Sequence, residues 1–126
     1  MKNLSNKPYP FIPLTPAVFH VLLALSRGDQ YGYRIMQMVE EDTQGQFGMS
    51  SSSLYGTLKR MLNNGLIEIS SYLPDPAEKN EHRRYYRLTW LGKKISQAEA
   101  KRLDNLVSKA REFHLLQPAA EQAEVK

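Results

Sequence analysis

Hydrophobic positions along the chain fall into four helical blocks and two strand-like ones. In residues 16–27 they crowd nearly all round, with Val18, Leu22 and Leu25 on one side and Phe19 and Leu23 beside them. A helix apolar on so many sides belongs in the middle of its domain. Thr15 supplies an N-cap, Pro16 occupies the first helical position, and Gly28 stops the helix. From Tyr31 to about Thr43, Tyr31, Ile35, Met38 and Val39 recur at helical spacing, while Arg34, Gln37, Glu40 and Glu41 fall outside. Residues 44–48 break this second helix. Ser50 caps a third, which ends at Gly65 and turns Leu54, Leu58, Met61 and Leu62 to one side. Residues 66–72 alternate and are rich in β-formers. Residues 83–88 make a second strand with Tyr86 and Leu88 on one face, and a polar loop with two prolines joins the two. Thr89 caps a fourth helix that runs to about Leu116.

The order helix, helix, helix, strand, loop, strand, long helix predicts a mainly α fold with a small antiparallel β-hairpin. We divide the chain into an extended N-terminal arm at 1–14, holding Pro8, Pro10 and Pro13, and a winged helix-turn-helix at 15–89. A C-terminal dimerisation helix follows at 90–117, then a flexible tail at 118–126.

Opposite its apolar side the third helix carries Ser52, Gly56, Lys59, Arg60 and Asn63, with Tyr55 at the boundary. Small polar residues near the N-terminus allow close approach of another surface. That end also offers unpaired N–H groups and a positive dipole, both suited to phosphate. Gly56 costs roughly 1 kcal/mol against alanine inside a helix, and close approach by a partner is a reason to accept the cost. A helix of this kind after a helix and a turn matches the geometry that enters the DNA major groove. The hairpin then serves as a wing, bringing Lys79, His82, Arg83 and Arg84 to a backbone or the adjacent minor groove. A plainer account stays open, because serine caps many helices and Lys-Arg is common on solvent faces.

In the fourth helix Leu91, Ile95, Leu103, Leu106, Ala110 and Phe113 form an apolar stripe, interrupted by Glu99 and Arg102. The helix outruns the small unit before it. Left uncovered, the stripe is a large apolar patch, and the same helix or the first helix of a second copy covers it economically. Such a homodimer presents two copies of the third helix, and major-groove entry by both requires a separation of about 34 Å and an inverted-repeat operator. Trp90, the only tryptophan, is a core or junction residue or the aromatic wall of an effector pocket. Tyr9 and Phe11 are further candidate walls, or latch the arm to the partner subunit.

Composition narrows the classes. With 126 residues the chain suits one domain and an appended element, and 41% hydrophobic content supports a modest core. There is no cysteine, and His20, His82 and His114 lack ligand-like spacing, so neither a metal nor a cofactor is expected. We read His20 as a core-edge residue. The N-terminus lacks a signal-peptide pattern, and the longest apolar run, residues 17–25, is interrupted by His20 and too short to span a bilayer. The expectation is a soluble, cytoplasmic protein without a membrane partner. The net charge of +4 leaves nucleic acid open without proving it. No acid–base pair, glycine-rich phosphate loop or activated nucleophile is evident, and the serines at 50–53 have no partnered histidine, so an enzyme is not expected.

Several blocks also resemble the PadR family of bacterial transcriptional regulators: Tyr31-Gly32-Tyr33-Arg34-Ile35, Leu54-Tyr55-Gly56-Thr57-Leu58-Lys59-Arg60-Met61, Gly65-Leu66-Ile67, and Arg84-Tyr85-Tyr86-Arg87-Leu88-Thr89-Trp90-Leu91-Gly92. The likeness covers roughly residues 12–95. It implies a winged helix-turn-helix that binds operator double-stranded DNA as a homodimer and usually represses. By position, Ser52, Ser53, Tyr55 and Thr57 fall where the family touches DNA. The whole candidate set is Ser51, Ser52, Ser53, Tyr55, Gly56, Thr57, Lys59, Arg60, Asn63 and Tyr31, with Lys79, His82, Arg83 and Arg84 on the wing. Where the family often has Gly-Thr-Leu-Tyr-Pro, this chain has Ser52-Ser53-Leu54-Tyr55-Gly56, so no operator sequence transfers. Its common Thr-Glu-x-Gly is here Thr89-Trp90-Leu91-Gly92. The single long C-terminal helix resembles the short subfamily, some of whose members hold flat aromatic or drug-like compounds at the dimer interface. The competing function is a winged-helix protein-interaction module without DNA binding.

Overall fold

The computed structural model describes residues 12–71 and 84–118. Thr15 Oγ1 accepts from the Val18 amide at 3.3 Å and opens α1 (Pro16–Leu25). Its Val21, Leu22, Ala24 and Leu25 are buried, and α1 packs against α2 (Gly32–Asp42), α3 (Ser51–Asn63), α4 (Trp90–Glu112) and β3 (Tyr85–Leu88). It is central, as its composition predicts, although Leu23 faces outward and is 40% exposed.

The turn between α2 and α3 is tied by one side chain. Thr43 Oγ1 donates to the Val39 carbonyl at 2.9 Å, and accepts from the Phe47 amide at 3.1 Å. Ser50 Oγ then accepts from the Ser53 amide at 3.1 Å and begins α3. At the other end Gly65, at φ +76°, closes α3. Its amide donates to the Leu62 carbonyl at 3.1 Å and the Leu66 amide donates to the Met61 carbonyl at 2.9 Å. This paired closure needs a left-handed residue, which glycine adopts without a Cβ penalty.

The sheet has three antiparallel strands in the order β1 (Gln30–Tyr31), β3, β2 (Ile67–Ile69). Ile67 pairs with Leu88 and Ile69 with Tyr86, while Tyr31 pairs with Tyr85. The two-stranded hairpin expected from sequence thus gains a third strand, and Tyr31 belongs to it rather than to the second helix. The elements are also shorter than the sequence pattern gives. The first helix ends at Leu25, not Arg27, and the last at Glu112, not Leu116. The tip of the hairpin lies outside the described residues.

Leu22, Ile35, Leu54, Leu58, Met61, Ile67 and Ile95 are fully buried in one cluster. Ile95 comes from α4, so the first half of that helix completes the core of the helix-and-sheet unit before it instead of standing apart from it. This corrects the dimerisation assignment of Ile95, which is 0% exposed within its own chain; Leu91 is partly buried and packs against the same cluster.

Candidate nucleic-acid interface

The exposed surface of α3 begins with Ser51, Ser52 and Ser53 and continues through Tyr55, Lys59, Arg60 and Asn63. The Ser50 cap takes only the Ser53 amide, so the first N–H groups of the helix face outward without a helical acceptor. Arg60 folds back along its own helix, with Nη2 donating to Thr57 Oγ1 at 3.3 Å. A Cβ built on Gly56 would lie 3.6 Å from Arg60 Nη1, an ordinary contact. Nothing among the described residues therefore demands glycine at position 56, and the missing side chain leaves a notch beside the guanidinium.

Thr57 departs from expectation. It is 1% exposed. Its place three residues after Leu54 and four before Met61 turns it toward the core, where its hydroxyl orients Arg60 instead of reaching outward. Tyr55 has two faces: it is about half exposed, yet its ring lies against Gly32 so closely that a Cβ there would overlap the phenol. Gly32 thereby fixes the approach of the α2 N-terminus to α3.

At the wing base, burial pushes the Tyr86 hydroxyl above its ordinary value; Arg84 counters the shift and Tyr55 adds to it. Tyr31 packs edge-on to Tyr85 at 5.4 Å. Ser70 donates to the Asp29 carboxylate, and Arg87 Nε donates to Glu68 Oε2 at 2.7 Å across paired positions. The Arg87 charge is thus committed to holding the hairpin. Lys59, Arg60 and Arg84 have no carboxylate partner among the described residues. Lys79, His82 and Arg83 lie outside those residues, as do Tyr9 and Phe11.

A second exposed surface, apolar in character, is the far half of α4 and the residues just past its end. Leu103 and Ala110 are half-buried, Leu106 is 54% and Phe113 65% exposed, and Val107, Leu115 and Leu116 add to the uncovered area. Sequence reasoning missed the role of Glu99. It is buried, takes a two-pronged contact from Arg102 at 2.7 and 2.8 Å, and accepts from the Leu14 amide at 3.1 Å. The Arg102 hydrogen bonds hold its carboxyl below the usual range, against the opposing effect of burial. The signal was present as Glu and Arg three residues apart on one helix face. Trp90 is not a buried junction residue: it is 71% exposed, with Lys94 Nζ 5.5 Å from the ring centroid. Among the described residues, surface grooves lie along residues 102–112, at 27–30 and between Tyr33 and Met49, and Trp90 does not line these.

With this geometry in place, comparison with known proteins decides the kinship. Residues 21–98 match the Transcriptional regulator PadR-like family. The chain belongs to that family. Its PadR-like relatives include a regulator from hypervirulent Clostridium difficile R20291, 25% identical, covering 79% of this chain and 98% of that one with a TM-score of 0.65. A transcriptional regulator from Clostridium thermocellum is 25% identical, covering 78% and 89%, with a TM-score of 0.62. An uncharacterised protein of Lysinibacillus sphaericus is 33% identical over 73 residues, 58% of this chain and 64% of that relative, so the match spans less than two thirds of it. The PadR-like proteins are transcription regulators, not enzymes. Among the described residues no helix is long and apolar enough to cross a membrane.

Proposed function

We propose that the chain is a homodimeric repressor that binds an inverted-repeat operator with one α3 in each of two successive major grooves. The observation that carries this reading is the exposed α3 surface. It combines an open helix N-terminus, three serines, a notch at Gly56 and the cations Lys59 and Arg60, which have no carboxylate partner among the described residues. Phosphate contacts by Lys59, Arg60 and Arg84 supply affinity, while the serines, Tyr55 and Asn63 reach base edges. The apolar far half of α4, with Leu23 of α1, gives the surface that a second copy covers. Occupying the operator blocks transcription. A flat aromatic effector would stack on Trp90, whose single indole reports binding by fluorescence quenching.

Lys59→Ala and Arg60→Ala test the reading. Each weakens operator binding and lowers the log–log salt slope by about one unit per lost phosphate contact. Gel shifts that keep wild-type affinity at every salt concentration refute the assignment of α3.

A further inference from the structure

Of the described glycines, two stand where a Cβ would overlap a neighbour. Gly32 meets the Tyr55 side chain, and Gly92 meets backbone, the carbonyl of Leu66. A side chain can swing away, whereas a carbonyl inside a closed helix end cannot move without moving the helix. Leu66 is the residue that closes α3, through its amide on the Met61 carbonyl. Gly92 lies in the first turn of α4 and donates to the Thr89 hydroxyl at 3.0 Å. Thr89 in turn donates from its hydroxyl to the Gly65 carbonyl, and from its amide to the Leu66 carbonyl at 3.1 Å. The carbonyls that leave the end of α3 are thus taken by the cap of α4, with Gly92 pressed against them. Along their lengths α3 and α4 go separate ways: α4 lies mainly on α1, and α3 on α1, α2 and β2.

We infer that the Thr89–Gly92 turn is the joint that sets the angle between the reading helix and the dimerisation helix, and that Gly92 is a positioning residue for operator half-site spacing. This rests on the function proposed above. In a two-fold dimer the two α4 helices fix the frame, so a small tilt at each joint is doubled in the separation of the two α3 helices. Glycine is the poorest helix former after proline, so its use at this helical position calls for a steric reason. The Leu66 carbonyl supplies one. Alanine at 92 pushes the end of α3 away from α4 while leaving the α3 contact surface itself unaltered.

The test uses the full chain as wild type, Gly92→Ala, Thr89→Val and Thr89→Ser. Valine keeps the shape of Thr89 but loses both side-chain hydrogen bonds; serine keeps them. The half-site is first recovered by selecting wild-type-bound fragments from random DNA. Binding is then measured to a single half-site and to inverted repeats whose centres are stepped around one helical turn, roughly 10 bp. Gly92→Ala and Thr89→Val are expected to lose about tenfold or more at the wild-type spacing, with half-site affinity held within about twofold and the optimum moved or flattened. Thr89→Ser follows the wild type. Because the chain has no cysteine, a spin label on Asn64→Cys reports the separation of the two α3 ends without DNA. That separation shifts or broadens in the two disruptive variants and not in Thr89→Ser. Equal losses on half-site and repeat with the optimum in place, or an unchanged label separation in both variants, overturn the inference. If Gly92→Ala does not fold, the valine and serine variants carry the same test. If the wild type binds no duplex, the regulator function fails, and the label separations alone decide the joint.

Discussion

The two halves of α4 differ although they share one apolar stripe. In the first, Ile95 is sealed in the core and Glu99 has three hydrogen bonds, one from the Leu14 amide and two from Arg102. In the second, Leu106 stands more than half exposed, as does Phe113 just past the end of the helix. The helix is about 34 Å long at roughly 1.5 Å per residue, and its own domain covers only the first part. A stripe can therefore serve two cores in succession, the chain's own and then, in the dimer proposed above, one shared with a copy. Hydrophobic spacing reveals the stripe without saying where burial ends; exposure begins past Arg102 and Leu103.

Substitutions on either side of that point separate the two cores. Ile95→Ala strikes the monomer's own core and should cost about 2–5 kcal/mol in urea unfolding, the range for truncating a buried aliphatic side chain. Leu106→Asp should leave the subunit folded, with helical circular dichroism retained, but weaken dimerisation by about a hundredfold or more in sedimentation, roughly 2.7 kcal/mol. An unchanged dimer would place the shared core elsewhere. Glu99→Gln should cost about 1–3 kcal/mol by breaking a charged hydrogen-bond set, and should loosen amide protection at Leu14 in hydrogen exchange while the far half of α4 is unaffected. The pH dependence has a definite sign. Because the Glu99 carboxyl is held below the ordinary glutamate value of about 4.3, its contribution is present above that value and is lost as pH falls through the lower folded-state value. Acid titration of wild type against Glu99→Gln should show the difference shrinking in that window.

Local features were readable from sequence. Thr15, Ser50 and Thr89 cap their helices as anticipated, because an N-cap acts over three residues of chain. The strand β1 was not legible. It is two residues long and exists only because Tyr85 and Tyr86 arrive more than fifty residues later to pair with it. Polarity misled at Thr57, where helical spacing beside Leu54, Leu58 and Met61 already pointed inward. It misled again at Glu99, which looked like a break in an apolar face and is instead its buried fastening. The exposed set on α3 was legible as a set, since Lys59, Arg60 and Asn63 lie opposite the apolar side. The tight meeting of Tyr55 with Gly32, and of Gly92 with Leu66, depends on tertiary approach that no spacing encodes.

The central claim is that two α3 helices, held apart by paired α4 helices, read a duplex together. Sequencing the fragments that the purified protein retains from a random DNA pool tests it most directly. The account predicts enrichment of an inverted repeat with half-site centres about one helical turn apart, roughly 10 bp. Enrichment of one asymmetric site, or none over the input pool, would contradict it.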